Sequence, residues 1–421
     1  MNSHEASQTE EQQSSQPDQA EIDSAADDSR EAEYNSRGTW ITSGAHFAHD
    51  LYPAFIGVLI PAIQSKLAIP LALASLMVPA QQMPSVLQPF IGYLADRTSK
   101  HWFVVLSPGV AAISLSMIGL APHIAIVLML LFIAGVASAA FHAPSAALAG
   151  EYGGPRMGRA MAIFLAGGEL ARTIGPLIIT AAIALFTLEG SFVVVVFGLT
   201  ASVLLYFTLD TEQSDADARD SEHQSIRPLV RARLKPLIGL FGYSIIKAFE
   251  TVPYQFFLVT LLVSKGYSEW YAGVALSILF GAGVVGGFIG GSISDRIGRK
   301  TTLVGASLIS TPIFLLYLTL ENGTWWVLGL LIFIGIILMS VRTIGMAQAQ
   351  ELLPEARGPI AGMMLASSSV SLSLGSIAFG ALSDWLSIQT AFTIAACLPL
   401  AALPFIALLP AEENKLTQPE S

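Results

Sequence analysis

Six charged side chains lie deep inside long apolar stretches of this 421-residue sequence. Carboxylates and basic groups in such places can transfer protons or bind charged molecules. An ionisable group in a bilayer core is costly unless it faces the interior of a helix bundle and finds a partner there. Groups that meet this condition often carry protons or bind charged substrates. The candidates for a proton or substrate path are Asp50, Glu169, Arg172, Lys247, Glu250 and Arg342.

Two of the candidate sets are spaced as pairs on one helix face. Glu169 stands three residues before Arg172, and Lys247 stands three residues before Glu250. Side chains with this spacing are neighbours on a helix surface, so the charges of each pair can neutralise each other. One interpretation is therefore that such pairs only hold the helix bundle together, and the other is that they lie on the transport path.

Four candidates also recur at a fixed distance along the chain. Asp50 and Glu250 are 200 residues apart, and so are His142 and Arg342. Each half of the sequence thus combines a carboxylate on its first apolar span with a basic or titratable group on its fourth.

A histidine pair beside Asp50 has the residue types of a metal site. His46 and Asp50 share a helix face, and His49 adjoins the carboxylate. Three ligands this close on one helix rarely complete a coordination sphere, so we expect no metal and no cofactor. His46 is instead added to the candidates for the proton or substrate path.

The composition predicts that the elements carrying these residues lie in a membrane. Hydrophobic residues make up 53% of the chain and charged residues only 12%, about half of the charged fraction usual in soluble domains. The single cysteine, Cys397, excludes a disulfide framework. The sequence contains no Walker loop, nucleophile elbow or zinc signature, so it predicts neither an enzyme nor an ATP-driven pump.

Apolar runs of about 20 residues, the length that crosses a bilayer, occur twelve times. The sequence therefore predicts an all-α integral membrane protein with twelve transmembrane helices in two six-helix bundles. The predicted spans are 41–64, 72–95, 102–121, 124–150, 158–185, 190–209, 236–263, 269–292, 301–320, 325–350, 358–383 and 388–409.

The distribution of Lys and Arg predicts the orientation of these spans. With the N-terminus inside, the inner loops hold most of the basic residues, whereas the outer loops hold only Lys66 and Lys265. Both termini are then cytoplasmic. The predicted organisation is a disordered acidic tail (1–39), an N-terminal bundle (40–209), a cytoplasmic linker (210–235), a C-terminal bundle (236–410) and a second tail (411–421). The basic end of the linker is expected near anionic lipid headgroups.

A short motif recurs at the same distance as the charges. Residues 92–97 (GYLADR) follow the second span, and residues 291–296 (GSISDR) follow the eighth. With this motif and its parallel halves, the sequence resembles the major facilitator superfamily. The resemblance implies a major facilitator fold and a charged cytoplasmic latch that helps to set the inward–outward equilibrium. The latch residues it implies are Gly92, Asp96, Arg97, Gly291, Asp295, Arg296 and Arg299.

The same resemblance implies that the first and fourth helices of each half line a central cavity. We hypothesise that Asp50, Glu250, His142 and Arg342 face one another across this cavity, with Asp50 or Glu250 as the proton carrier. Three cations would give an anionic substrate its charge partners: Arg172, Lys247 and Arg342.

The N-terminal half is also similar to one branch of that superfamily, the fosmidomycin-resistance branch of bacterial drug-efflux proteins. The similarity lies in residues 46–50 (HFAHD), 88–93 (QPFIGY) and 141–145 (FHAPS). It implies a bacterial inner-membrane protein that works by alternating access.

Three functions stay open at this stage. The first is efflux of a small molecule or drug in exchange for protons. The second is uptake or exchange of a small organic anion, such as a phosphonate or carboxylate. The third is a membrane sensor or scaffold without transport. The expected partners are a small-molecule substrate, protons and the lipid bilayer, with no nucleic acid, and we expect a monomer.

Overall fold

The computed structural model describes residues 34–209, 227–320 and 324–410, except for the side chains of Asp96, Arg227 and Arg357. The predictions for residues 1–33, 210–226 and 411–421, which cover most of the acidic tail, the acidic part of the linker and the second tail, lie outside the described residues. Below, the N-terminal half means residues 34–209 and the C-terminal half means residues 227–410.

The described ranges are helical and contain no strand. The α-helices of the N-terminal half are α1 (Ser36–Asp50), α2 (Ile56–Leu67), α3 (Leu71–Ala74), α4 (Met77–Gln82), α5 (Gln88–Arg97), α6 (Lys100–Ser116), α7 (Ile124–Gly153), α8 (Met157–Gly190) and α9 (Val195–Thr208). Those of the C-terminal half are α10 (Arg227–Ala232), α11 (Leu234–Val252), α12 (Leu258–Ser264), α13 (Glu269–Ile297), α14 (Arg299–Thr319), α15 (Trp325–Leu352), α16 (Arg357–Trp385), α17 (Ile388–Ala401) and α18 (Leu403–Ala407).

Within the described ranges, eight helical segments are long and apolar enough to cross a membrane. One of them, Ile124–Thr208, contains the three α-helices α7, α8 and α9. The first two predicted spans consist of shorter helices and are not among the eight. An all-helical membrane protein is therefore confirmed, whereas the number twelve stays a prediction.

Proline interrupts the first predicted span of each half at corresponding positions. A 3₁₀ turn, Pro53–Phe55, follows α1, and a π-helical turn, Pro253–Phe257, follows α11. Proline has no N–H to donate, so one bond of the regular helical ladder is missing at each of these positions. The two prolines are 200 residues apart, and each stands three residues after an acidic side chain. Asp50 and Glu250 are therefore placed just before a break in their helices.

Apolar packing joins the two halves at one end of the molecule. A large core contains residues of both halves, for example Leu59 and Ile63 with Leu261 and Leu276. At the other end, each half has a core of its own. The shared core lies at the end predicted to be outside, so the halves are closed there and separately packed at the end predicted to be cytoplasmic.

Within the described ranges, three hydrogen bonds connect the halves at the closed end. The Asp384 carboxylate on α16 accepts from the backbone N–H groups of Leu71 (3.1 Å) and Ala72 (2.8 Å). It thereby caps α3, whose N-cap residue is a proline without a side-chain acceptor. The Ser376 hydroxyl donates to the Ser75 carbonyl at 2.8 Å. These bonds must break whenever the halves separate at this end.

Replacing Asp384 with alanine is expected to raise the population in which this end is open by roughly fivefold, because a lost helix cap costs about 1 kcal/mol. Distances between spin labels placed on the two halves at the closed end would measure this change. Glu269→Ala is the matched control, since Glu269 is an exposed acidic residue in the first turn of α13 at the same end. Equal distance distributions for the two variants would contradict a closing role for Asp384.

Candidate functional site

Close packing between α1 and α8 positions the candidate site. The Ser43 hydroxyl donates to the Ile163 carbonyl at 2.7 Å, and His46 Nδ1 lies 2.9 Å from the Phe164 carbonyl. The helices can approach because Gly168 has no side chain. A Cβ atom there would lie 2.5 Å from His46 Nε2. This approach brings the next turn of α8 beside the end of α1.

At this junction five ionisable side chains form one network, which we call the Asp50 cluster. Its members are His46, Asp50, His142, Glu169 and Arg172. One Asp50 oxygen lies 3.3 Å from His142 Nε2. The other lies 3.4 Å from His46 Nε2 and 3.6 Å from Arg172 Nη2. Arg172 Nη1 in turn lies 3.2 Å from Glu169. The cluster thus joins side chains from α1, α7 and α8.

Backbone carbonyls determine how the two imidazoles meet the carboxylate. His46 Nδ1 faces the Phe164 carbonyl, and His142 Nδ1 faces the Ser138 carbonyl at 2.8 Å. A carbonyl only accepts, so Nδ1 must carry the proton in each ring, and a neutral ring then presents a bare Nε2 to Asp50. A bare nitrogen and a carboxylate oxygen repel each other. Each contact is favourable only with a proton between the two atoms.

The same atoms have the spacing of a possible metal-ligand set. One ligand atom each from His46, Asp50 and His142 lies within 4.8 Å of the others. In the sequence the possible ligands stand on one helix, whereas in the structure α7 supplies the third ligand. The Arg172 guanidinium already brings positive charge to the Asp50 carboxylate. The expectation of no metal stays a prediction.

His49 does not join the network, although it adjoins Asp50 in sequence. Its ring is buried and stacks on Phe141 with 4.5 Å between centroids. Neither of its nitrogens has a hydrogen-bond partner within the described residues. His142, which is 92 positions away from Asp50, takes the place that sequence proximity would have given to His49.

The candidates in the C-terminal half are arranged differently. Lys247 and Glu250 are buried and form an ion pair with each other. The structure does not bring Glu250 into an ion pair with Asp50, whose partners all come from the N-terminal half. Arg342 on α15 has an exposed side chain, and within the described ranges it makes no hydrogen bond or ion pair. It nevertheless interacts electrostatically with Arg172, Glu169 and Asp50.

The latch candidates of the C-terminal half form an ion-pair network at the end predicted to be cytoplasmic. Arg299 lies 2.6 Å from Asp295 and 3.0 Å from Glu351, so it ties the start of α14 to the ends of α13 and α15. Lys100 pairs with Glu151 at 2.6 Å in the other half. Sequence reasoning missed both glutamates, although their 200-residue separation could have revealed them.

The other latch candidates whose side chains are described are not part of that network. The Arg97 guanidinium lies 4.4 Å from the centre of the Tyr93 ring. Arg296 is exposed, and a Cβ atom at Gly291 would lie 4.0 Å from the Thr343 methyl group. A Cβ atom at Gly92 would lie 3.3 Å from the Ala143 Cβ, so this glycine lets α5 approach α7. The Asp96 side chain is outside the described part of the chain.

Replacing Gly168 with alanine is expected to lower the thermal stability, because the added Cβ would collide with the His46 ring. Overpacking costs about 1–3 kcal/mol, which outweighs the gain of about 1 kcal/mol from a better helix former. Thermal unfolding of the purified protein in detergent would measure the difference. In the control Gly44→Ala nothing lies within 4 Å of the new Cβ, so its stability should not fall. A Gly168→Ala protein as stable as this control would show that His46 is not tightly packed.

Membrane-crossing helices in two halves, with a charge cluster inside one of them, are the architecture of a membrane transporter. The sequence profile of the Major Facilitator Superfamily matches residues 42–364 and, again, residues 284–421. The chain belongs to this superfamily, and its resemblance to the fosmidomycin-resistance branch is confirmed by its relatives.

Two curated relatives match most of the chain. The fosmidomycin resistance protein of Escherichia coli (strain K12) is 27% identical over 379 residues, which cover 88% of this chain and 92% of that protein. The protein named "Uncharacterized MFS-type transporter YfnC" of Bacillus subtilis (strain 168) is 27% identical over 387 residues, covering 88% and 91%.

A solved structure with the same fold is that of a bacterial homolog to the human lysosomal transporter Spinster, in an inward-facing and occupied conformation. The TM-score is 0.76 with 14% sequence identity, over 89% of this chain and 96% of that one. This likeness concerns the fold alone. The superfamily match supports secondary transport as the class of activity.

Proposed function

We propose that this protein exports a small molecule in exchange for protons and that the Asp50 cluster is the proton-binding site. The observation that carries the proposal is the pair of Nε2 atoms aimed at one carboxylate, since each contact requires a proton to be favourable. Intramembrane carboxylate and histidine groups in transporters commonly serve as proton relays. Arg172 links this carboxylate to Glu169, so both acidic groups share one cation.

Access to the cluster is consistent with this role. The Asp50 side chain is only 4% exposed, whereas His142 is 29% exposed and Arg172 is 27% exposed. A proton can therefore reach Asp50 through the histidine, while the carboxylate itself stays shielded from water. The separate cores at the end predicted to be cytoplasmic leave the two halves free to part on that side.

Exchange or uptake of a small organic anion is the second candidate function. Arg342 favours it, since this exposed guanidinium has no hydrogen bond or ion pair in the described part of the chain and interacts with the Asp50 cluster across the two halves. A guanidinium binds carboxylate and phosphonate groups through two parallel hydrogen bonds. In this function Arg172 would be the second anchor for the anion. The Lys247–Glu250 pair would stabilise the C-terminal half.

The cytoplasmic latch is part of the same proposal. Asp295, Arg299 and Glu351 would hold three helix ends of the C-terminal half together while the halves move as bodies, and Lys100 with Glu151 would do so in the N-terminal half. The proposed setting is the inner membrane of a bacterium, with both termini in the cytoplasm and the protein acting as a monomer. A sensor or scaffold that does not transport would not need a proton-binding cluster, so the cluster argues against this alternative.

A competition panel tests the proposal. The protein would be expressed in a bacterium that lacks its own efflux pumps, and growth would be measured against fosmidomycin and chemically diverse toxicants. Resistance that depends on the pH gradient would support proton-coupled export and would identify a substrate. Growth without any protection, combined with anion uptake by proteoliposomes, would favour the second function. If proteoliposomes show no substrate flux in either direction, the third alternative, a sensor or scaffold without transport, would be favoured.

A further inference from the structure

A pocket of about 530 Å³ opens at the end predicted to be cytoplasmic, far along the chain from the Asp50 cluster. It lies between the start of α11 and the end of α18. Cationic and apolar side chains share its wall, which is formed by Arg231, Ala232, Leu234, Lys235, Ile238 and Leu408. A pocket with both kinds of side chain fits an amphiphile better than a purely polar ligand.

Ion pairs and hydrogen bonds hold both sides of this pocket in place. Arg233 donates to both Glu355 oxygens, at 2.7 and 3.0 Å. These hydrogen bonds lower the pKa of Glu355 to about 2, so the pair remains ionised at physiological pH. On the other side, Lys300 Nζ donates to the Leu409 carbonyl at 2.7 Å and so secures the end of α18. These contacts hold the start of α11 against the turn at Glu355 and the end of α18 against α14.

Two cations of the pocket have no partner among the described residues. Arg231 and Lys235 are exposed, and neither makes a hydrogen bond or ion pair within the ranges that the structure describes. Arg233, which stands between them, is already paired with Glu355. The positive charge of Arg231 and Lys235 is thus available to an anion from outside the described residues.

The apolar part of the pocket wall indicates that the anion also carries a hydrocarbon chain. Leu234 and Ile238 are exposed large side chains one turn apart on α11, and Leu408, the C-cap residue of α18, lines the same pocket. Exposed apolar side chains are stabilised when a hydrocarbon chain covers them. An acidic peptide segment, such as residues 210–226 of this chain, would neutralise the cations but would leave the apolar side chains uncovered.

We propose that this pocket binds an anionic phospholipid of the cytoplasmic leaflet. The phosphate lies between Arg231 and Lys235, and an acyl chain lies along Leu234, Ile238 and Leu408. Basic pockets at the cytoplasmic boundary of membrane helices attract anionic headgroups, with about 1 kcal/mol per Lys or Arg near the surface. The site is independent of the proposed proton exchange, and it connects the end of the linker between the halves to the bilayer.

Native mass spectrometry of the purified full chain, titrated with phosphatidylglycerol or phosphatidylcholine, tests this site. Two lost charges should weaken phosphatidylglycerol binding by roughly 30-fold in the double variant Arg231→Gln/Lys235→Gln. The control Arg156→Gln/Arg159→Gln removes the same charge at the same end of the other half and should bind as the unchanged protein does.

Three results would overturn the proposal. The first is equal phosphatidylglycerol binding by the pocket variant and the control. The second is binding of phosphatidylcholine to the unchanged protein as tightly as phosphatidylglycerol. The third is displacement of the lipid by soluble glycerol phosphate alone, which would show that the pocket binds phosphate without using its apolar wall. Since no transport is measured, failure here leaves the proposed proton exchange untouched.

Discussion

Replacing Asp50 with asparagine is expected to abolish transport driven by a pH gradient, with a loss of roughly 100-fold in the initial rate. Asparagine has nearly the same shape, but it can neither carry a negative charge nor exchange a proton with His46 or His142. Arg172 keeps Glu169 as its partner, so the substitution leaves no buried cation unpaired. Proteoliposomes with an imposed pH gradient would provide the rate.

The control for this experiment is Glu189→Gln, the same chemical change at a carboxylate that is 54% exposed and paired with Lys66 near the closed end. It should transport as the unchanged protein does. Substrate exchange without a pH gradient is a second readout, and it should survive Asp50→Asn because the helices still move. A variant in which the pH gradient still drives transport would show that Asp50 is not the proton carrier.

Replacing Arg342 with glutamine is expected to raise the KM for an anionic substrate by about tenfold, the amount that one charge-assisted hydrogen bond contributes. Stability should not change, because Arg342 has no ion pair to lose in the described part of the chain. Neutral substrates should be transported with an unchanged KM. Initial rates for one anionic and one neutral compound in proteoliposomes would separate these cases.

Arg342→Lys is the matched variant, since it keeps the charge but loses the planar fork of donors. Its KM for the anion should fall between those of the unchanged protein and Arg342→Gln. If Arg342→Gln transports the anion and the neutral compound equally well, the guanidinium does not contact the substrate, and the second candidate function loses its main support.

The changes in helix geometry after Asp50 and Glu250 have a signal in the sequence, namely a proline that follows each carboxylate. Both carboxylates stand three residues before a proline, at the repeat distance of 200. Proline removes one backbone hydrogen bond, which favours a change of helix geometry at these two positions. Proline alone does not decide it, because Pro108, Pro144 and Pro176 lie inside continuous helices. The pairs Lys100–Glu151 and Arg299–Glu351 were equally available from the repeat, because both acidic residues follow the fourth span of their half.

The sequence does not indicate whether His49 or His142 contacts the Asp50 carboxylate. His49 is next to Asp50 along the chain, whereas His142 lies near Asp50 only when the helices are packed together. Only the packing of α1 on α7 and α8 decides that the His49 ring stacks on Phe141 while His142 faces the carboxylate. Likewise, the symmetry of the sequence groups Asp50 with Glu250, yet Glu250 lies buried against Lys247.

The sequence by itself determined that this is a helical membrane protein, that its halves repeat and which ionisable residues lie inside apolar spans. These properties follow from composition and spacing, because hydrocarbon excludes charges and requires every backbone group to be hydrogen-bonded within its own helix. Only the tertiary structure decided which of those residues meet and at which end the halves are closed. Such contacts depend on how closely helices approach, and at α1 and α8 that approach depends on the missing side chain of Gly168.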